Sequence, residues 1–205
     1  MTNQTSFEHP THPLLIVVSG PAGVGKDALV KELRKVGPPL HFVITATDRA
    51  PRHNETHGVD YFFISAAEFL QMEREGELLE HALVYDQHKG VPKQQVREAM
   101  ASGKDVIMRV DVQGAATVRR IAPDAVLVFL AASAEDLKRR MEHRASDSPE
   151  QVAIRTDKLQ EELGYLSIFD YIVFNHHNQL DHAVGQVIAI IQAEHCRVHP
   201  RKVEL

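Results

Sequence analysis

The chain has 205 residues, 43% of them hydrophobic, and a formal net charge of −5. That length and apolar content support one α/β domain with insertions around a real core, while the negative charge excludes a general nucleic-acid footprint and leaves any anionic ligand to a local basic site. A single cysteine, Cys196, excludes an intramolecular disulfide and favours a reducing compartment, and no apolar run approaches the roughly 20 residues of a membrane span.

The first dozen residues lack the basic and apolar regions of a signal peptide and are expected to be a disordered tail on a cytoplasmic protein. Leu14 to Val18 then has the length and β-branched character of a buried parallel strand. It runs into Gly20-Pro21-Ala22-Gly23-Val24-Gly25-Lys26, and a helix follows from Asp27 to Lys35 with Leu29, Val30 and Leu33 on one face. Strand, GxxxxGK loop and helix together form a phosphate cradle. Backbone N–H groups turn inward around a polyphosphate, the helix N-terminus adds its positive end, and Lys26 reaches the outer phosphates. The motif normally ends in Ser or Thr, whose hydroxyl holds Mg²⁺. Here Asp27 takes that place, and a carboxylate is also a hard oxygen ligand for the metal. Its added negative charge calls for a balancing cation nearby.

Gly37-Pro38-Pro39 ends the helix, and Phe42 to Ile44 is expected to be a short strand. Beyond it lie Thr45, Thr47, Arg49, Arg52, Glu55 and Tyr61, an unusual cluster for a surface insertion. Two arginines bracketing Pro51 suit a clamp for a phosphate monoester, to which Tyr61 would add its hydroxyl. A solvated charged turn is the plain alternative for Arg-Ala-Pro-Arg taken alone. Tyr61 to Ile64 is expected as a strand, and Ser65 as the N-cap of a helix to about Glu75, with Glu68 completing a capping box. Leu78 to Tyr85 and the stretch around Gly90 predict two more strands, so residues 45 to 94 read as a small, partly antiparallel insertion.

Helices are then predicted over 93–102, 115–121, from Ser133 onward, over 149–163 and over 183–194, with strands over 106–111, 125–130 and 171–175. This alternation favours a parallel sheet with right-handed crossovers and ligands at the C-terminal ends of its strands. The thirteen histidines include no zinc-like spacing and are expected mainly on solvated surface.

Taken in order, GPxGVGK, TxTxRxPR, E(x)₂GxDYxF, LLExAxVY, VDxQGA, RR(x)₃R and FDYxVxN resemble guanylate kinases over residues 14 to about 195. The resemblance implies an α/β P-loop kinase: a parallel-sheet core with helices on both faces (13–44, 95–135 and 160–198), a mixed α/β GMP-binding insertion (45–94) and a helical lid (136–159), with tails at 1–12 and 199–205. It implies transfer of a phosphoryl group from ATP to GMP, with dGMP as a second candidate acceptor, with Mg²⁺, in a monomer or small homo-oligomer that needs neither nucleic acid nor membrane. On that reading residues 20–27 hold ATP, with Asn175 near its adenine, and Asp27 meets the metal. Thr45, Arg49, Arg52, Tyr61 and Lys89 serve GMP and its phosphate, while Glu80 and Asp111 read the guanine. Lys26, Arg49, Arg140, Arg144 and Arg155 neutralise charge on the transferred group. The guanine assignment is chemically apt, because guanine presents N1–H and N2–H₂ as donors to a carboxylate and adenine does not.

GKD, KGVPK and RVDVQGA resemble the plastid-type branch of the family, in which a lysine stands at position 89 and Arg109 replaces an acidic residue. The carboxylate gained at Asp27 and the guanidinium gained at Arg109 suggest a compensating exchange. Asp48, His53 and Asn54 fit neither branch. Two competing readings are a ribose 1,5-bisphosphate kinase on the same fold, which has no use for a guanine reader, and a non-catalytic interaction module, which usually loses the phosphate loop.

Overall fold

The computed structural model describes residues 12–84, 86–142 and 161–205. Its larger sheet has five parallel strands in the order β2-β7-β1-β8-β9. Strand β1 (Leu15–Ser19) is central and wholly buried, as its unbroken apolar run requires. It is flanked by β7 (Val106–Arg109) and β8 (Val126–Ala131), with β2 (His41–Phe42) and β9 (Tyr171–Phe174) at the edges. Alternate side chains of β1 leave on opposite faces. Ile16 and Val18 join Leu29 and Leu33 of α1 (Lys26–Val36) and Val184, Val187 and Ile191 of α6 (Leu180–His195). Leu15 and Val17 pack with Val96 of α3 (Lys93–Ala101) and Val118 of α4 (Val112–Ile121).

The smaller sheet runs β4-β3-β6-β5, built from β3 (Thr45–Thr47), β4 (Tyr61–Phe63), β5 (Leu78–Val84) and β6 (Gln87–Pro92). Its β3–β4 pairing is parallel and the other two pairings are antiparallel. Helix α2 (Ala66–Arg74) covers it with Phe69, which packs on Ala46 and Leu78. The expected Ser65–Glu68 capping box is present with both of its bonds.

Two boundaries differ from expectation for identifiable reasons. The strand predicted over 42–44 stops at Phe42, because the Gln95 side chain accepts from Ile44 N–H at 2.7 Å and draws the chain out of the larger sheet. The strand predicted through Asp111 stops at Arg109, because Asp111 caps α4 by accepting from Gly114 N–H at 2.8 Å. That cap starts α4 three residues before the expected Ala115. Residues 199–205 carry no regular structure but are fastened down: Arg201 pairs with Glu194 and Asp170, and Val203 and Leu205 pack on the core. Not every histidine is merely solvated either, since His195 meets Asp105 at 2.7 Å and His88 meets Asp48. Helix α5 (Ala134–Glu142) leads toward residues outside the described set. Among the described residues no helix is long and apolar enough to cross a membrane.

Candidate active site

The phosphate loop leaves the C-terminal end of β1 and closes on α1 through Gly25, whose φ of 102° favours glycine. A Cβ there would also lie 2.5 Å from the Asn175 amide nitrogen. The loop is braced from below at one atom: the Val24 carbonyl accepts from Asn175 Nδ2 at 2.8 Å and from Arg140 Nη1 at 2.9 Å. Arg140 also donates to the Asn175 carbonyl. Both residues therefore support the loop in this structure, and Asn175 is buried against it. Lys26 donates to the Gly20 and Pro21 carbonyls at 2.5 and 3.2 Å. Burial lowers its pKa to about 8 against the opposing pull of Glu162, with Lys89 adding to the lowering.

Opposite the loop, the insertion presents the arginine cluster. Glu55 organises it, a role the sequence alone did not assign. Its carboxylate takes a two-pronged bond from Arg49, both contacts at 2.7 Å, and accepts from the Arg52 N–H at 2.9 Å. Burial works to raise its pKa, but these bonds outweigh it and bring Glu55 down to about 2. The Arg49 guanidinium lies 4.8 Å from the Tyr61 ring centre, and that of Arg109 lies 4.7 Å from the same ring. Arg109, reaching in from the end of β7, also sets Nε 2.7 Å from Asp27 Oδ1. The pairing expected of the two exchanged charges is thus formed. Asp27, Arg52, Tyr61 and Arg109 open onto a recess of about 500 Å³ between α1 and the insertion, with Asn54 at its rim, whereas His53 is exposed.

Deeper in the cleft, Glu80 on β5 is 3% exposed, and no hydrogen-bond donor reaches its carboxylate among the described residues. Burial first, and then the neighbouring Asp111, push its pKa up to about 8, with Lys89 opposing. It lies against α4, where a Cβ on Gly114 would stand 2.5 Å from Oε2. The glycine of VDVQGA is therefore the space that Glu80 occupies. Thr45 adds a buried hydroxyl that makes no hydrogen bond among the described residues.

Lys89 comes from β6, in register with Thr47. Burial lowers its pKa, while Asp111 and Asp27 pull it up. Asp48 fixes that strand, accepting from His88 N–H at 2.7 Å and meeting the His88 ring nitrogen at 2.5 Å. Asp48 and His88 thus form one paired unit across β3 and β6. Arg144 and Arg155 lie outside the described residues.

A phosphate loop facing an arginine clamp and a buried carboxylate is the arrangement of a nucleotide kinase, and the guanylate kinase family model matches residues 12–194. The chain belongs to the guanylate kinase family. Among its relatives, guanylate kinase 2, chloroplastic/mitochondrial, of Oryza sativa subsp. japonica is 46% identical over 198 residues, which is 96% of this chain and 70% of that one. The guanylate kinase of Caldanaerobacter subterraneus subsp. tengcongensis is 42% identical over 190 residues, covering 92% and 91%. The crystal structure of guanylate kinase from Anaplasma phagocytophilum matches with a TM-score of 0.76 at 24% identity, over 92% of this chain and 89% of that one, and so supports the fold. Guanylate kinase membership makes the chain a nucleotide-binding kinase, and the competing sugar-bisphosphate and interaction-module readings are not favoured.

Proposed function

We propose that the protein transfers the γ-phosphoryl group of ATP to the phosphate of GMP, giving ADP and GDP. The observation that carries this reading is Glu80, a buried carboxyl that no hydrogen-bond donor reaches among the described residues. Guanine N1–H and N2–H₂ supply the donors it lacks, and Asp111 stands beside it as a second acceptor. A sugar bisphosphate would leave that group unanswered.

The GMP phosphate would meet Arg49, Arg52, Tyr61 and Lys89, with Thr45 offering its free hydroxyl to the nucleotide. Glu55 holds Arg49 in place, so little side-chain freedom is lost when the phosphate arrives. ATP would lie on the loop of residues 20–26, where Lys26 turns from the loop carbonyls to the β- and γ-phosphates. A phosphate oxygen of GMP then attacks the γ-phosphorus in line as the bond to the ADP oxygen breaks. Catalysis rests on holding the two ends together and neutralising charge, for which Lys26, Lys89, Arg49 and the lid arginines Arg140, Arg144 and Arg155 are the candidates.

Magnesium in such sites is held mostly by substrate phosphates and water with one or two carboxylates. Asp27 fits that need: its side chain is 42% exposed, and only Oδ1 is drawn to Arg109. Held there by Asp27, the metal would offset negative charge on the ATP phosphates. A reducing compartment such as the cytoplasm suits the exposed free thiol of Cys196.

The test is ADP formation from Mg·ATP with GMP, dGMP, AMP or ribose 1,5-bisphosphate as acceptor. Turnover confined to the guanine nucleotides is expected. Turnover with the sugar bisphosphate alone, or none with any acceptor in folded protein, would overturn the reading.

A further inference from the structure

Arg109 is the point at which the two halves of the cleft meet. Its side chain is 8% exposed and makes three contacts with one guanidinium. Nε lies 2.7 Å from Asp27 Oδ1, at the start of α1 directly after Lys26, as an ion pair whose N–H is not aligned for a hydrogen bond. Nη2 donates to the Asp60 carbonyl in the insertion at 2.5 Å. The guanidinium also lies 4.7 Å from the centre of the Tyr61 ring. That ring is shared with Arg49, which Glu55 holds in turn. An unbroken series of contacts therefore runs from the phosphate loop to the arginine clamp, and Arg109 makes the only ion pair with Asp27 among the described residues.

A second strut joins the same elements. Lys31 of α1 pairs with the Asp60 carboxylate at 3.3 Å, but its side chain is 55% exposed and such pairs contribute little. The buried guanidinium thus dominates the connection between α1 and the insertion. A group that a first ligand orders, and that a second ligand also needs ordered, couples the two binding events, and the coupling is reciprocal. A phosphate engaging Arg49 and Tyr61 fixes the ring on which Arg109 rests. Arg109 then holds Asp27 and the first turn of α1 in place for the other nucleotide.

We propose that Arg109 is a positioning residue that makes GMP and ATP bind with positive coupling. The proposal rests on the GMP kinase reading above. The measurement is the calorimetric Kd for GMP, with and without saturating adenylyl imidodiphosphate and Mg²⁺, in the wild type, in Arg109→Lys and in the double variant Asp27→Asn/Arg109→Met. The double variant removes both charges of the pair, so no orphaned carboxylate faces the ATP phosphates. Wild type should bind GMP about tenfold tighter in the presence of the ATP analogue, within the usual range of such couplings. The double variant should bring that ratio to within about twofold of one, and Arg109→Lys, which keeps the charge but not the planar fork, should lower it about threefold.

A merely structural Arg109 would weaken both affinities and leave the ratio unchanged, which would overturn the proposal. Should the double variant not fold, the ratio in Arg109→Lys decides alone. Wild-type protein that binds GMP with no coupling would sink this inference and leave the kinase reading standing. Wild-type protein that binds no GMP at all would sink both.

Discussion

A carboxyl group buried beside a second acid, as Glu80 is beside Asp111, holds its proton until a donor arrives. With a folded pKa of about 8 against an ordinary value of 4.5, the folded protein carries a proton here that the unfolded chain has released. Stability contributed by this group is therefore full below pH 4.5 and is lost as pH rises toward 8. Glu80→Gln removes that penalty. It should match the wild type in thermal melts at pH 5 and exceed it by about 5 °C at pH 8.5. The same variant should lose at least about a hundredfold in kcat/KM for GMP, because the amide sets its NH₂ donor against one of guanine's two donors and leaves only its carbonyl to accept. GMP binding to the wild type should release a proton below pH 8, seen as a dependence of calorimetric heat on buffer ionisation enthalpy. A pH-independent Tm difference would show that Glu80 is ionised in the free protein. The carboxylate was legible in the sequence through its motif. Its protonation was not, since burial depends on where α4 packs, and spacing along the chain does not report that.

Among the elements, α2 and β3 show what local pattern does and does not reveal. The Ser65–Glu68 box is visible in four consecutive letters because both of its bonds are local. Ser65→Ala should cost about 1 kcal/mol and lower Tm by roughly 3 °C, measured by thermal denaturation, with kcat/KM for GMP within about twofold of wild type. A larger loss of activity than of stability would mean that α2 reports to the cleft. Asp48 looked out of place in the sequence because its partner, His88, is 40 residues away and is brought near only by the β3–β6 pairing. Gln95 is similar: from α3 it captures the backbone of Ile44 and ends the expected strand at Phe42. Long-range side-chain bonds to backbone are the features that period and propensity miss.

At the level of the whole molecule, the parallel sheet and the mixed insertion followed from alternating strands and helices, since each strand's apolar run announces its burial on both faces. The fastening of the C-terminal segment did not. Arg201 donates to Glu194, which is almost fully buried and also accepts from Tyr171 Oη at 2.6 Å. Burial raises the Glu194 pKa, and the bonds from Arg201 and Tyr171 outweigh it. Arg201→Ala strands a buried charge and should cost about 3 kcal/mol, toward the lower end for a broken buried pair because Arg197 remains 3.6 Å away. Urea denaturation should show that loss at an unchanged m-value. A cost under about 0.5 kcal/mol would mean that the segment is not held by this pair.

The Glu80–Gly114 contact also constrains how this chain can evolve. Any side chain at position 114 would enter the volume held by the Glu80 carboxylate, so the residue proposed to meet the base and the residue that makes room for it are not free to drift separately. A lineage moving toward a different acceptor must vacate position 80 before it can fill position 114, and the intermediate carries an empty, dry notch beside Asp111.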